Sequence, residues 1–278
     1  MKRLAVLGNP VSHSRSPAMQ TAALEALGLG EEWSYEAIEM PPADFPELAR
    51  ALPAEGFVGA NVTIPHKEAA LALAGDASSA ATEIGAANTL SFTEGEIRAD
   101  NTDAPGLLGA LPGQPAGRRA LVLGAGGSAR AAVWTLAGQG ATVEVWNRTA
   151  RRAEELVDAI AGTSAGAEGR ISSISDERAR AGSYELILNC TAVGMAGEAG
   201  DPFEQLPIDP ERLGAGTTVV DLAYGVGETR LIAEASSRGA GAVDGLEVLV
   251  RQGAESLRIW TGREPPLEVM REAARAAR

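Results

Sequence analysis

A glycine-rich turn is the feature that most constrains what this chain can fold into. The turn Gly124-Ala125-Gly126-Gly127-Ser128 directly follows the apolar run Arg119–Leu123, and a helical pattern begins at Ala129. Its first and third residues, with Ala129, match the spacing G-x-G-x-x-G/A, in which the glycines permit a tight turn and close approach of the backbone to a pyrophosphate. Backbone N–H groups at the start of a helix favour phosphate binding. The segment predicts half of a dinucleotide-binding domain, and an ordinary glycine loop is the alternative.

The residues after the next strand indicate which dinucleotide this domain binds. The run Thr142–Trp146 predicts that strand, and Asn147-Arg148-Thr149 follows it. Sites for NAD usually place Asp or Glu about 20 residues after the glycine turn, because a carboxylate binds the ribose 2′-hydroxyl. A carboxylate would repel the 2′-phosphate of NADP, whereas Arg148 offers a permanently charged, bidentate partner. We therefore expect NADP(H), and we interpret Arg151 and Arg152 as a solvent-exposed helix face.

The size and charge of the chain limit the classes of protein to which it can belong. At 278 residues it is long enough for two domains, and its hydrophobic share of 45% is typical of a globular protein. A net charge of −13 argues against nucleic acids and anionic membranes as partners. No apolar run approaches the roughly 20 residues of a membrane span, and the short apolar start is interpreted as a strand rather than a signal peptide.

Cysteine and histidine are scarce in the sequence. Cys190 is the single cysteine, so no intrachain disulfide is expected and a cytoplasmic location fits. The only histidines are His13 and His66, so we expect no structural zinc site and no other bound metal.

Alternating strand and helix patterns predict an α/β fold with two domains. A Pro/Gly-rich break at residues 111–117 precedes the glycine turn, and we expect residues 1–104 and 246–278 to form one domain and residues 105–245 the other. The first domain is expected to contain a mostly parallel sheet. The predicted strands are Leu4–Leu7, Ser34–Glu39, Gly59–Thr63, Ala87–Phe92, Arg119–Leu123, Thr142–Trp146, Glu185–Asn189, Thr218–Leu222 and Ala242–Val243. The predicted helices are Ser16–Ala26, Asp44–Leu52 with Asp44 as a cap, Lys67–Leu73, Ala129–Ala137, Ala150–Ala161, Leu246–Trp260 and Pro266–Ala276, and Ala161–Gly169 is interpreted as a loop.

Polar segments at strand ends of the first domain supply candidate site residues. Ser14 and Ser16 precede a predicted helix, where two hydroxyls can contact one anionic group. An ordinary N-cap at Ser16 is the alternative. Lys67 follows a rigid proline turn, Asn88 opens a strand and Asp103 opens a helix. Taken separately, a surface lysine and a helix cap are the ordinary interpretations of Lys67 and Asp103.

Nine short motifs together are far more specific than any one of them. They are Ser14-Arg-Ser16, Asn61-Val-Thr-Ile-Pro-His-Lys67, Gly85-Ala-Ala-Asn-Thr89, Asn101-Thr-Asp103, Gly124-Ala-Gly-Gly127, Asn147-Arg-Thr149, Asn189-Cys-Thr-Ala-Val-Gly-Met195, Asp221-Leu-Ala-Tyr224 and Asp244-Gly-Leu-Glu-Val-Leu-Val-Arg-Gln252. In their order and spacing the chain resembles the shikimate dehydrogenases over residues 1–260. The resemblance implies an N-terminal α/β substrate domain, a Rossmann-type NADP-binding domain, and C-terminal helices that return to the first domain.

The resemblance also implies roles for individual residues. Lys67 and Asp103 match the catalytic pair. The positions expected to hold substrate are Ser14, Ser16, Thr63, Asn88, Tyr224 and Gln252. The positions expected to hold NADP(H) are Gly124, Ala125, Gly126, Gly127 and Ser128 in the phosphate turn, Asn147, Arg148 and Thr149 at the 2′-phosphate, and Leu222 and Gly245 beside the nicotinamide. Many members have Gly-Met where this chain has Glu247-Val248, and we expect Glu247 to cap its helix or to face solvent.

The activity implied by the resemblance is the reversible, NADPH-dependent reduction of 3-dehydroshikimate to shikimate. Lys67 is expected to stabilise the developing alkoxide and donate a proton, while Asp103 positions Lys67 and binds a substrate hydroxyl. A quinate or dual quinate/shikimate dehydrogenase is the alternative. A cofactor sensor without turnover is disfavoured, because a sensor needs neither Lys67 nor Asp103. The expected partner is a small-molecule substrate, and the chain is expected to be a monomer or a homodimer.

Overall fold

Two sheets, each with helices packed on both faces, organise the chain. The computed structural model describes residues 1–93, 95–166, 169–195, 200–225 and 227–277. These residues form twelve strands: β1 Lys2–Gly8, β2 Trp33–Glu39, β3 Phe57–Val62, β4 Asp76–Ala77, β5 Thr89–Thr93, β6 Glu96–Asp100, β7 Arg119–Leu123, β8 Thr142–Trp146, β9 Ile171–Ser173, β10 Leu186–Asn189, β11 Thr218–Asp221 and β12 Gly241–Asp244.

Helices connect most of these strands. The α-helices of the described residues are α1 Ser16–Ala26, α2 Phe45–Ala51, α3 Lys67–Leu73, α4 Ser79–Ile84, α5 Asp103–Ala110, α6 Gly127–Gly138, α7 Ala150–Ala161, α8 Asp176–Ala181, α9 Pro202–Gln205, α10 Arg230–Ser237, α11 Gly245–Thr261 and α12 Leu267–Ala276. Short 3-10 helices span Leu52–Glu55 and Pro210–Arg212.

The chain divides into two compact units. The first comprises Met1–Gly106 and Leu249–Arg278, and the second comprises Leu107–Val248. Both boundaries therefore fall inside helices, α5 and α11. The sequence places its domain boundaries near the first residues of the same two helices.

The sheet of the first unit is mixed rather than mostly parallel. Its strand order is β2-β1-β3-β5-β6-β4. β1 runs parallel to both β2 and β3, whereas β5 is antiparallel to β3 and β6. The expectation of a mostly parallel sheet in this domain is therefore wrong. β5 and β6 follow one another too closely for a crossover helix, and two such strands pair as an antiparallel hairpin.

Strand β1 shows why the first unit has a core on each face of its sheet. Successive side chains of a strand point to opposite faces. Leu4 and Val6 pack with Met19 of α1 and Met270 of α12 on one face, and Ala5 and Leu7 join the cluster on the other. The C-terminal helix therefore packs on the first domain, as the sequence predicts.

The second unit is a Rossmann-type sheet. Its order is β12-β11-β10-β7-β8-β9, and every pair is parallel. Counted from β7 this is the doubly wound order 3-2-1-4-5-6, in which ligands bind outside the carboxyl ends of the strands where the order reverses. That reversal lies between β7 and β10, so the turn after β7 stands at the position where a dinucleotide is expected.

Short or polar elements were missed by the sequence patterns. They are β4, β6, β9, α4, α8, α9 and α10. Most have six or fewer residues, too few for a helical period to show, and β6 carries exposed polar side chains at Glu96 and Arg98. The predicted loop Ala161–Gly169 begins with the last residue of α7, and its residues 167 and 168 lie outside the described residues.

Two predicted helix caps differ from the structure. Asp44 stands at the N-cap of α2, but its side chain makes no capping hydrogen bond. Ser16 is the first residue of α1, and the N-cap position belongs to Arg15. The capping interpretation of Ser16 is therefore wrong, and its hydroxyl is not used as an N-cap.

Candidate active site

Lys67 and Asp103 form an ion pair in the first unit. Lys67 opens α3 after the Ile64-Pro65 turn, and Asp103 opens α5. The Lys67 ammonium donates to Asp103 Oδ2 at 2.5 Å, and the two side chains are only 11% and 14% exposed. A largely buried cation that lies beside a carboxylate can both bind a developing oxyanion and supply a proton to it. Sequence spacing alone did not place these two residues together.

Asn88 orients the second oxygen of Asp103. Its Oδ1 accepts the backbone N–H of Thr102 at 2.7 Å, which fixes the orientation of the amide. Its Nδ2 consequently faces Asp103 Oδ1 at 2.9 Å and Gln252 Oε1 at 3.0 Å. The side-chain amide of Gln252 also donates to Leu249 O at 2.8 Å. The structure thus joins Lys67, Asp103, Asn88 and Gln252 in one hydrogen-bonded group.

Ser14 and Ser16 lie together before and at the start of α1. The N–H of Ser16 donates to the Ser14 hydroxyl at 3.3 Å, so the two hydroxyls belong to one turn. Between them Arg15 is buried, and its guanidinium donates to Ala274 O in α12 at 3.0 Å. The N-terminal end of α1 favours an anion, because its first N–H groups have no acceptor inside the helix.

Thr63 lies where β3 meets the proline turn. Its N–H donates to Leu7 O at 2.9 Å. A side chain at Gly8 would come within 2.5 Å of the Thr63 methyl carbon. The close packing of these two strand ends fixes Thr63 at the carboxyl edge of the sheet.

The glycine turn of the second unit has the geometry of a phosphate cradle. Gly124 has φ +112°, and a Cβ there would lie 3.2 Å from the Cys190 carbonyl, so only glycine fits. Gly126 is the N-cap of α6, and a Cβ added to it would meet no atom within 4 Å. This open space beside bare backbone fits the close approach of a pyrophosphate. Ala125, Gly127 and Ser128 complete the turn.

The segment after β8 carries exposed positive charge. Asn147 Nδ2 donates to Thr149 O at 2.9 Å, which closes a small turn and leaves Arg148 exposed between them. Arg151 is paired with Glu155 at 2.8 Å, whereas Arg148 and Arg152 form no ion pair among the described residues. The sequence predicts a solvent-exposed helix face for both Arg151 and Arg152. The structure distinguishes the two arginines, because only Arg151 is paired with a carboxylate. Arg152 therefore adds its positive charge to that of Arg148.

Leu222 and Gly245 lie against one another. A Cβ on Gly245 would come within 2.7 Å of Leu222 O and 2.8 Å of Ala223 O, so the two segments pack at backbone distance. Tyr224 follows in the same loop. At the base of this loop the Asp221 carboxyl is fully buried and accepts from Asn189 Nδ2 at 2.8 Å and Thr229 Oγ1 at 2.6 Å. Burial raises the pKa of Asp221, and these hydrogen bonds oppose the rise.

His66 is poorly placed to supply protons. His66 is 2% exposed, stacks on Phe45 with ring centroids 4.3 Å apart, and contacts Met40 O through Nε2 at 2.7 Å. Burial lowers the pKa of His66, and the hydrogen bond to Met40 partly offsets this. Its position at the N-cap of α3 and its stacking on Phe45 indicate a structural role.

Comparisons with known proteins cover nearly the whole chain. Three family models match: shikimate dehydrogenase substrate binding domain at residues 6–90, shikimate / quinate 5-dehydrogenase at residues 110–223, and shikimate 5′-dehydrogenase C-terminal domain at residues 245–275. A protein named shikimate dehydrogenase (NADP(+)) from Thermus thermophilus is 44% identical over 283 residues, which cover 100% of this chain and 99% of the relative. The chain belongs to the shikimate dehydrogenase family.

Other members of the shikimate dehydrogenase family show the same full-length similarity. A protein named shikimate dehydrogenase (NADP(+)) from Geobacter metallireducens is 42% identical over 281 residues, covering 99% of this chain and 96% of the relative. A solved structure of shikimate 5-dehydrogenase from Thermus thermophilus, in complex with NADP(H) and shikimate, has a TM-score of 0.86 at 40% identity and covers 100% of both chains.

Glu247, the residue at which this chain departs from the motif of many shikimate dehydrogenases, lies near the start of α11. Its backbone N–H donates to Asp244 Oδ1 at 2.9 Å, so Asp244 supplies the cap. Glu247 stands in the first turn of α11, where a carboxylate interacts favourably with the helix dipole.

The described part of the chain has neither a membrane-spanning helix nor a metal-binding cluster. No helix there has the length and apolar character needed to cross a membrane. Nor does any group of three His, Cys, Asp or Glu side chains in those ranges have an arrangement that could hold a metal ion.

Proposed function

We propose that this chain catalyses the reversible, NADPH-dependent reduction of 3-dehydroshikimate to shikimate. The observation that carries the proposal is the Lys67–Asp103 pair, largely buried and tied through Asn88 to Gln252, in a chain with full-length similarity to NADP-dependent shikimate dehydrogenases. The reaction belongs to the route that makes aromatic amino acids. In this proposal residues 1–104 and 246–278 hold the substrate, and residues 105–245 hold the cofactor.

Lys67 and Asp103 divide the chemistry of the substrate carbonyl between them. When bound, the reduced nicotinamide supplies the hydride that the carbonyl carbon needs. The Lys67 ammonium stabilises the negative charge that develops on the carbonyl oxygen and donates a proton to it. Asp103 holds Lys67 through a hydrogen bond to Oδ2 and accepts a second hydrogen bond from a substrate hydroxyl. In the reverse direction Lys67 takes up the proton that the hydroxyl loses.

Six further residues, five of them in the first unit and Tyr224 in the second, are proposed to orient the substrate. We assign its carboxylate to the Ser14 and Ser16 hydroxyls, at the positive end of α1. Its hydroxyls and carboxylate are assigned to Thr63, Asn88, Gln252 and Tyr224. Asn88 and Gln252 are hydrogen-bonded to each other at 3.0 Å, so substrate binding exchanges or shares those bonds.

The cofactor residues of the second unit follow from its glycine turn. Gly124, Ala125, Gly126, Gly127 and Ser128 are proposed to bind the pyrophosphate, because the backbone at Gly126 is bare. Asn147, Arg148 and Thr149 are proposed to bind the 2′-phosphate, and the exposed guanidinium of Arg148 supplies the matching charge. Leu222 and Gly245 are proposed to line the nicotinamide, since their backbones pack so closely that a Cβ on Gly245 would lie 2.7 Å from Leu222 O.

A single kinetic comparison tests the function. The purified chain is assayed for oxidation of shikimate and of quinate, with NADPH formation measured when NADP+ is supplied and NADH formation measured when NAD+ is supplied. We expect kcat/KM to be highest for shikimate with NADP+. Higher values for quinate would make the chain a quinate or dual-specificity dehydrogenase, and no turnover with tight NADP+ binding would make it a cofactor-binding module.

The proposal includes a cytoplasmic location and a monomeric or homodimeric state. A single cysteine, Cys190, fits a reducing compartment. Light scattering after gel filtration measures the mass directly against the 28.5 kDa of one chain.

A further inference from the structure

Helix α11 presents a stripe of hydrogen-bonding side chains to the sheet of the first unit. Gln252, Ser256 and Trp260 are spaced four residues apart, which places them on one face of the helix. The three contacts are Gln252 Oε1 with Asn88 Nδ2 at 3.0 Å, Ser256 Oγ with Asn61 Nδ2 at 2.8 Å, and Trp260 Nε1 with Leu90 O at 3.0 Å. The first of these reaches the candidate active site, and the second lies one helical turn behind it.

Glycines hold this face of α11 at a fixed register. A Cβ on Gly106 would lie 2.7 Å from the backbone nitrogen of Gln252, and a Cβ on Gly59 would lie 2.2 Å from the indole nitrogen of Trp260. Neither neighbour can move away cheaply, since one is backbone and the other is a ring held by a hydrogen bond. Ser256, between these two contacts, is therefore held at a defined position.

Ser256 completes a closed triangle of buried hydroxyls with Thr89 and Thr102. Ser256 Oγ lies 2.8 Å from Thr89 Oγ1 and 3.0 Å from Thr102 Oγ1, and the two threonine hydroxyls lie 3.1 Å apart. All three side chains are 2% exposed or less. We call these three residues the hydroxyl triangle. Such a group is stable only when each of its protons and lone pairs finds a partner, because water does not reach it.

Two amide groups donate into the hydroxyl triangle. Tyr35 donates to Asn61 Oδ1 at 2.8 Å, which turns Asn61 Nδ2 toward Ser256. On the other side Asn88 Nδ2 lies 2.9 Å from Thr102 Oγ1, and its two N–H groups are shared among this oxygen, Asp103 Oδ1 and Gln252 Oε1. The Ser256 hydroxyl in turn donates a hydrogen bond to Gln252 O at 3.1 Å. The triangle is thus the junction between the Asn61 amide and the Asn88 amide.

Asn88 connects the triangle to the ion pair. The same Nδ2 that contacts Thr102 donates to Asp103 Oδ1, and Asp103 Oδ2 accepts from Lys67. We propose that Ser256 is a positioning residue of this enzyme. Through Thr102 and Asn88 it holds the Asp103 carboxylate at the angle at which Lys67 faces the substrate. Its effect on turnover rests on the proposed function, whereas its effect on the Asn88 amide does not.

The experiment compares Ser256→Ala with a matched control, Ser91→Ala. Ser91 lies on β5, two residues after Thr89, and its hydroxyl is buried without a hydrogen-bond partner among the described residues. Both changes remove one buried hydroxyl from the first unit, but only one of them opens the triangle. Measurements are kcat and KM for shikimate and NADP+, thermal unfolding by circular dichroism, and the 15N–1H signals of the Asn88 side-chain amide, assigned by their loss in Asn88→Asp.

We expect Ser256→Ala to lower kcat about tenfold, with the KM for NADP+ unchanged, since one buried hydrogen-bonded position is lost. The Asn88 amide signals should shift and exchange faster. Ser91→Ala should leave kcat and those signals as in the wild type. Ser256→Cys, which keeps the size of the side chain and a weaker hydrogen bond, should fall between.

Three outcomes would overturn the inference. The first is a Ser256→Ala enzyme that melts at a lower temperature but turns over at the wild-type rate. The second is an equal loss of kcat in Ser91→Ala. The third is an unchanged Asn88 amide signal, which decides the matter even if the wild type does not oxidise shikimate and the proposed function fails. If Ser256→Ala does not fold, Ser256→Cys and Thr89→Val are judged by the same measurements.

Discussion

Removing either member of the Lys67–Asp103 pair tests whether the two side chains act as one unit. Lys67→Ala removes the proposed proton donor, and a positioned acid–base group contributes about 10²- to 10⁴-fold to the rate. We therefore expect kcat for shikimate oxidation to fall by at least about 10²-fold. The KM for shikimate should change less, because Ser14, Ser16 and Gln252 still contact the substrate in the proposed arrangement.

Asp103→Asn perturbs the same pair from the other side. Asp103 accepts from two donors, Lys67 Nζ at Oδ2 and Asn88 Nδ2 at Oδ1. An amide offers one acceptor and one donor, so one of these two neighbours must face an N–H group. Loss of one charge-assisted hydrogen bond is worth about 1.5–3 kcal/mol, which corresponds to roughly 10- to 150-fold in kcat.

The double variant Lys67→Ala/Asp103→Asn decides between a unit and two independent residues. If Asp103 acts mainly through Lys67, the double variant should be at most a few-fold slower than Lys67→Ala, because residues that act together are non-additive. Initial rates are followed by NADPH absorbance, and folding is checked by circular dichroism. A folded Lys67→Ala enzyme near the wild-type rate would refute the mechanism. Losses that simply multiply in the double variant would refute the coupling.

Three further predictions concern the cofactor end, the substrate end and the stability of the enzyme. Arg148→Ala should weaken NADP+ binding, measured by calorimetry, about 10- to 150-fold and leave NAD+ binding nearly unchanged, because only NADP+ carries the 2′-phosphate. Arg151→Ala is the control, because the Arg151 side chain is paired with Glu155. Equal weakening of both cofactors by Arg148→Ala would show that Arg148 does not contact the 2′-phosphate. Ser14→Ala or Ser16→Ala should raise the KM for shikimate without changing the KM for NADP+, whereas normal kinetics with a lower melting temperature would mean that these hydroxyls only stabilise α1. His66→Phe, which keeps the stacking on Phe45, should reduce the pH dependence of stability on the acid side. Burial lowers the pKa of His66 in the folded protein below its ordinary 6.5, so as pH falls the histidine is protonated in the unfolded chain first. The wild type therefore loses stability from about pH 6.5 downward. Identical slopes of unfolding free energy against pH in the wild type and in His66→Phe would contradict this role of His66.

The sequence was most informative where backbone geometry restricts the choice of residue. Gly124 has a positive φ and a neighbouring carbonyl at 3.2 Å, and Gly126 must leave its backbone bare, so the spacing of these glycines is a local requirement of the turn. Strand β7, just before this turn, is a short run of buried residues, which is a second local pattern that the sequence shows. Local chemistry of this kind is legible without knowing the rest of the fold.

Short elements were harder to predict, because their stability comes from partners elsewhere in the chain. β4 has two residues and pairs with β6, and neither strand was expected. The antiparallel pairing of β5 with β3 and β6 also went unforeseen, although β3 and β5 themselves were predicted. An isolated strand carries no record of its direction relative to a neighbour, since pairing depends on how the connecting chain returns.

The residue types and order of the candidate site were determined by the sequence, and their contacts were decided by the tertiary structure. Lys67, Asn88 and Asp103 could be named as candidates from their motifs, yet each has an ordinary structural explanation when it stands alone. Packing of α3, α5 and α11 on one sheet brings Lys67 within 2.5 Å of Asp103 and places Ser256 behind Asn88. Hydrogen bonds between residues far apart in the chain depend on distances that only the assembled core sets, so no local pattern could have revealed them.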